Sequence, residues 1–127
     1  MQLTHITINT GRLEESVAFY QNILGLNIAS DMRGKGTVNI VFLNDGSSDV
    51  CIELVANKEH SYEGSGISVG FATDDLDKSA QELKSKGITT GKIIVPNPHT
   101  RFFFIEDPNG VQIQFIESKR RFDTCIN

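Results

Sequence analysis

Apolar and polar residues alternate along Leu3-Thr4-His5-Ile6-Thr7-Ile8-Asn9, the period of a half-buried strand. The period then changes. Leu13, Val17, Tyr20 and Leu24 recur at helical spacing, which predicts a helix from Arg12, with Thr10 as N-cap and Gly25 as its stop. Three strand-like runs follow, Leu26 to Asp31, Thr37 to Leu43 and Val50 to Val55, separated by Gly34, Gly36, Asn44-Asp45-Gly46 and Ser47-Ser48. After the polar stretch Asn57 to Gly66 the order repeats. Ile67 to Phe71 reads as a strand, and Asp74-Asp75-Leu76 opens a helix that runs to Lys86 and stops at Gly87. Ile88 to Val95, Arg101 to Ile105 and Val111 to Ile116 read as strands, the last two joined by the turn Asp107-Pro108-Asn109-Gly110.

The repeat is visible in the residues themselves. Val41-Phe42-Leu43-Asn44-Asp45-Gly46 resembles Phe103-Phe104-Ile105-Glu106-Asp107-Pro108, and Ile52-Glu53-Leu54 resembles Ile113-Gln114-Phe115. Matching segments lie roughly 60 residues apart throughout, a steadier signal than any single motif. The reading is an α+β fold of two tandem βαβββ modules, residues 1–57 and 66–118, with pseudo-twofold symmetry. They form one domain, 1–118, whose curved mixed sheet surrounds a cup with the helices outside, followed by a tail at 119–127.

Strand alternation also sorts the side chains. Ile6, Ile8, Ile52, Leu54, Val69, Phe71, Ile113 and Phe115 belong to the apolar faces that the helices must cover. His5, Thr7, Asn9, Cys51, Glu53, Ser68, Gln112 and Gln114 are left on the concave side. A concave face lined with polar groups calls for water or a ligand. Glu53 between two apolar neighbours needs a role as ligand, base or ion-pair member. His5 is either a metal ligand or a hydrogen-bonded residue at the sheet rim. Arg101 suits an anionic substrate group at the cup mouth, or is a surface charge at a strand start. Cys51 lacks an activating base and reads as a small packing residue lining the cup. His60 and His99 sit in loops without ligand spacing, and Tyr62 lies in the linker where a lid would start.

Composition narrows the function classes. A length of 127 residues suits one domain, and 39% hydrophobic with 22% charged residues predicts a folded core. A net charge of −4 argues against a nucleic-acid partner, and Lys119-Arg120-Arg121 reads as a solvated tail. No apolar run approaches the ~20 residues that cross a bilayer, so no membrane partner is expected. The start Met1-Gln2-Leu3-Thr4 shows no signal peptide, so the expected location is the cytoplasm, with Cys51 and Cys125 reduced.

Three motifs carry a family resemblance: His5-Ile6-Thr7-Ile8, the run Glu15-Ser16-Val17-Ala18-Phe19-Tyr20 leading to Leu24-Gly25-Leu26, and Asp107-Pro108-Asn109-Gly110. Together they resemble the vicinal-oxygen-chelate superfamily of glyoxalase I, bleomycin-resistance proteins, fosfomycin-resistance enzymes and extradiol dioxygenases. The resemblance covers Leu3 to about Ser118 and names the fold better than the reaction. It implies a divalent ion (Zn, Ni, Mn or Fe) held by residues of the first and last strand of each module, here His5, Glu53 and Gln114, with Ser68 at the fourth position. His5 and Glu53 match that pattern, whereas Gln114 replaces the usual Glu and Ser68 the usual His or Gln. In the glyoxalase reaction a carboxylate shuttles a proton on a metal-bound enediolate, which leaves Glu53 as the catalytic base here. Thr7, Asn9, Cys51, Ser68, Arg101 and Gln112 are the candidate substrate-binding residues. The resemblance thus implies a glyoxalase-like lyase or isomerase acting on a small oxygenated substrate, and with it a homodimer. The alternative is a metal-free protein that sequesters a small molecule, as in the bleomycin-resistance branch.

Overall fold

The alternation at the start of the chain becomes β1 (His5–Thr10), and the helical spacing becomes α1 (Leu13–Ala18). A computed structural model describes residues 1–119. Arg120, Arg121 and Cys125, singled out in the sequence, lie outside the described residues. Two compact units divide the chain: Met1–Gly64 with Asp107–Gly110, and Ser65–Glu106 with Val111 onward.

In the first unit α1 is followed by a π-helical turn (Phe19–Ile23), β2 (Asn27–Asp31), β3 (Ile40–Asn44) and β4 (Cys51–Ala56). The sheet order is β1-β4-β3-β2. β1 and β4 pair in parallel, and the other pairs are antiparallel. Parallel partners need a long crossover, and here α1, β2 and β3 supply it. One face of the sheet is apolar: Ile8, Val41, Leu43, Ile52 and Leu54 are buried together with Val17 and Tyr20 of the helical segment. Ile6, earlier in the same strand as the buried Ile8, stays 40% exposed.

Three local expectations need correction. The α-helical geometry ends at Ala18, and the Leu24 N–H bonds back five residues to the Phe19 carbonyl. That wider turn accommodates the burial of both Phe19 and Tyr20. Thr10 is not the N-cap; Arg12 is, without a side-chain cap. Thr10 ends β1 instead, and its hydroxyl accepts the Arg12 N–H at 2.9 Å from there. The third strand starts at Ile40 rather than Thr37, because a turn occupies the preceding residues: Gly34 has φ +72°, and its N–H donates to Asn39 Oδ1 at 2.8 Å.

The second unit repeats the plan with β5 (Ser68–Ala72), α2 (Leu76–Ser85), β6 (Ile94–Asn97), β7 (Thr100–Glu106) and β8 (Gln112–Ser118). The order is β5-β8-β7-β6, again with first and last strand parallel. Asp75 caps α2 by accepting the Lys78 N–H at 3.0 Å, and Glu117 accepts the Leu76 N–H at 2.8 Å. Leu76, Leu83, Phe103, Ile105, Val111 and Ile113 form the core. β6 covers four residues where Ile88 to Val95 was expected to be strand. Gly91 explains the difference. Its N–H bonds the Phe104 carbonyl at 2.9 Å, and a Cβ on it would lie 3.2 Å from that oxygen. The chain therefore reaches β7 first through this close backbone approach and joins the regular ladder only at Ile94.

The turn Asp107–Gly110 follows β7 but counts with the first unit. There the Tyr20 hydroxyl donates to Asp107 Oδ2 at 2.8 Å, and the Thr10 hydroxyl donates to Asn109 Oδ1 at 2.6 Å. Asn109 Nδ2 donates in turn to Ser16 Oγ at 3.1 Å. Thr10, Ser16 and Tyr20 are fully buried, so this network satisfies groups that water cannot reach. Burial, the Asp107 charge and the bond to Asp107 all hold the Tyr20 hydroxyl well above the usual tyrosine range.

Candidate functional site

Because β1 and β4 run in parallel register, His5 lies beside Cys51, Thr7 beside Glu53 and Asn9 beside Val55, all on the sheet face opposite the buried Ile8, Ile52 and Leu54. Phe42 of β3 is the next partner of Glu53 on that face. The structure joins three predicted residues here. The Thr7 hydroxyl donates a hydrogen bond to Glu53 Oε1, and His5 Nε2 lies 3.7 Å from the same oxygen. The other ring nitrogen, Nδ1, is 2.8 Å from Thr4 Oγ1. The His5 ring meets Phe42 edge to face, with centroids 6.0 Å apart and planes at 88°. The His5 side chain is 44% exposed and that of Glu53 only 14%. The carboxylate is thus sunk in the sheet, while the imidazole stands at its rim. Cys51, a free thiol, shares the face, with Asn44 Nδ2 3.7 Å from its sulfur.

The second unit has its own polar face. Ser68 registers with Gln112, and Gly70 with Gln114; across β8, Glu106 and Phe104 stand beside the same two glutamines. Gln112 Nε2 donates to Glu106 Oε1 at 3.0 Å. A Cβ on Gly70 would meet Gln114 Oε1 at 3.2 Å, so the absence of a side chain there leaves the Gln114 amide its room. Phe102 and Phe104 form an edge-to-face pair on this face, while Phe103 turns to the core.

Arg101 is elsewhere. It shares a face with Phe103 and Ile105, opposite Gln112 and Gln114, and its guanidinium lies 3.1 Å from Asp77 and 3.2 Å from Glu117. Both bonds raise its pKa, and the Leu76 N–H, followed by Arg101, lowers that of Glu117. Its charge is committed to tying α2 to the β7–β8 ladder. Of the loop residues, His60 and His99 are exposed, and the Tyr62 N–H donates to the Asn9 carbonyl at 2.8 Å.

The donors can be tested against a divalent ion. Imidazole and carboxylate are ordinary ligands, and an ion 2.0–2.2 Å from each would set the two donor atoms about 3–3.5 Å apart. The observed 3.7 Å is within a small side-chain adjustment of that. Among the described residues no group of three or more His, Cys, Asp or Glu could hold an ion. The first unit therefore fits an ion with two strong donors, fewer than the three that hold catalytic zinc tightly.

Thr4 is the residue that sequence reasoning missed. Parity along the run from Leu3 puts it in phase with Ile6 and Ile8, opposite His5, and a hydroxyl next to a histidine has no motif of its own. No helix among the described residues is long and apolar enough to cross a membrane.

Comparison with known proteins places this geometry in context. The model of the Glyoxalase/Bleomycin resistance protein/Dioxygenase superfamily matches residues 2–115. A lactoylglutathione lyase of Haemophilus influenzae is 31% identical, with 94% of each chain covered. One from Neisseria meningitidis serogroup A is 30% identical over 98% of this chain and 96% of its own. Among solved structures, TnmS3, an antibiotic binding protein from Streptomyces sp. CB03234, superposes with a TM-score of 0.77 at 19% identity, covering 94% of this chain and 97% of its own. The trypanothione-dependent glyoxalase I of Leishmania major gives 0.75 at 19% identity, covering 99% and 93%. At that identity the two structures establish a shared fold.

Proposed function

Because the chain belongs to the Glyoxalase/Bleomycin resistance protein/Dioxygenase superfamily, we propose that it is a metal-assisted lyase or isomerase of a small oxygenated substrate, centred on His5 and Glu53. The observation that carries the reading is the convergence of His5 Nε2 and the Thr7 hydroxyl on Glu53 Oε1, on a polar sheet face. His5 and Glu53 would hold the ion, and the ion would polarise a substrate oxygen. Glu53 is the base in this scheme. Thr7 occupies one carboxylate oxygen and fixes the plane of the group, so that the second oxygen takes the substrate proton. Its low exposure keeps bulk water from competing for that proton. On the second unit, Ser68, Gln112 and Gln114 offer neutral donors and acceptors suited to hydroxyl and carbonyl groups of a ligand. The relatives named lactoylglutathione lyase make an S-lactoylglutathione-forming reaction the first one to assay.

The test is metal content. Protein purified without chelator, or titrated with nickel, zinc or manganese, is expected to bind one ion per chain weakly, and Glu53→Ala to lose it together with turnover. Wild-type protein that takes up none of the three ions rules out the metal-assisted reading. In that event the second reading, a metal-free binder of a small molecule, takes its place. It is favoured by one observation, that no group of three or more ionisable ligands could hold an ion among the described residues. A homodimer is part of the proposal, since β1, β2, β5 and β6 are edge strands that a partner chain can cover; sedimentation of the purified protein tests it.

A further inference from the structure

We propose that Thr4 is the positioning residue of the His5 imidazole, through the hydrogen bond between its hydroxyl and Nδ1. The inference rests on His5 being a working residue of the first-unit face. A histidine ligand or proton carrier is directed by what its other ring nitrogen bonds, which fixes both the tautomer and the ring plane. In this chain that partner is Thr4 Oγ1, 2.8 Å from Nδ1.

Two features make Thr4 a fit anchor. Although it precedes β1, its carbonyl accepts the Cys51 N–H at 3.0 Å, so its backbone is tied to β4, the strand that carries Glu53. Histidine and carboxylate are thereby held from one strand pair. A hydroxyl also both donates and accepts. It can donate to Nδ1 while an Nε2–H faces Glu53, and it can accept an Nδ1–H when the Nε2 lone pair is needed for a ligand. The ring therefore changes tautomer without losing its partner. With 44% of the His5 side chain exposed, the ring is further restrained by its perpendicular contact with the Phe42 ring and by Glu53 Oε1, 3.7 Å from Nε2.

The test compares Thr4→Val, which keeps the shape and removes the hydroxyl, with Thr4→Ser, which keeps the hydroxyl. In metal-free protein, nuclear Overhauser effects between the His5 and Phe42 rings report ring position, and nitrogen shifts of the imidazole report Nδ1 bonding. Thr4→Val is expected to weaken the ring–ring effect by about twofold or more and to shift Nδ1, and Thr4→Ser to restore both. Zinc titration of the same proteins is expected to show affinity about tenfold lower for Thr4→Val and near wild type for Thr4→Ser. If wild-type protein refuses zinc while the ring contrasts hold, the metal reading fails and the positioning role stands. Unchanged ring effects and Nδ1 shift in Thr4→Val overturn the role of Thr4 whatever zinc does.

Discussion

Tyr20→Phe removes one oxygen from the most buried polar network in the first unit and leaves the ring in place. Tyr20 is 0% exposed and Asp107 5%, and the bond between them is 2.8 Å long. Asp107 Oδ2 also accepts from Asn109 Nδ2 at 3.4 Å, a longer and weaker bond than the one from Tyr20. Deleting one partner of a buried hydrogen bond to a carboxylate costs about 1.5–3 kcal/mol. For a chain of this size that corresponds to a fall in melting temperature of roughly 5–12 °C. Urea unfolding followed by circular dichroism measures it, with the m-value as a check that the unfolding remains two-state. The same substitution has a pH signature. The folded protein holds the Tyr20 proton above the ordinary tyrosine value of 10.0. The stabilisation is therefore whole below pH 10.0 and lost as pH rises above it, where the unfolded chain ionises first. The gap between wild type and Tyr20→Phe should narrow through that alkaline range. A variant within about 0.5 kcal/mol of wild type at pH 7, with no narrowing, refutes the idea that this bond contributes net stability.

Other positions give sharper structural tests. Asp75→Ala removes the cap of α2 and should cost about 1 kcal/mol in urea unfolding, with Asp75→Asn or Asp75→Ser recovering most of it. Gly91→Ala puts a Cβ against the Phe104 carbonyl and should destabilise by about 1–3 kcal/mol, with amide exchange quickening at position 91 and at Ile94. Arg101→Gln should leave zinc titration and ligand affinity unchanged, because the guanidinium serves Asp77 and Glu117; a loss of ligand affinity without a change in fold would return Arg101 to the binding residues.

The order of elements along the chain and the two-sided pattern of the strands were legible in the sequence because period-two alternation is a direct consequence of backbone geometry, and it recurs in both halves. Parity put His5, Thr7 and Glu53 on one side, and the family resemblance is what paired His5 with Glu53. Arg101 shows where parity needs help. Its phase is the same as that of Phe103 and Ile105, but the sequence reading weighed only an anion-binding role at the cup mouth against a surface charge at a strand start. In the fold its guanidinium donates to Asp77 and Glu117, 24 and 16 residues away, partners that leave no local trace. The turn Asp107-Pro108-Asn109-Gly110 was readable as a turn, yet its bonds to Thr10, Ser16 and Tyr20 span 87 to 99 residues and leave no local trace. The π-helical turn after Ala18 was hidden for a different reason. Spacing at 3.6 and at a slightly wider pitch cannot be told apart over five residues.

The parallel pairing of β1 with β4 has a consequence in time. Thr7 and Glu53, in contact on the sheet, are 46 residues apart in the chain. Neither hairpin contact nor helix formation brings them together; only the arrival of the module's final strand does. During synthesis, β1 waits without its neighbour until β4 has been made, with Ile6 and Ile8 still uncovered by it. The contact between Thr7 and Glu53 therefore waits on a long loop closure, and any shortening of the chain that deletes β4 abolishes it outright rather than weakening it.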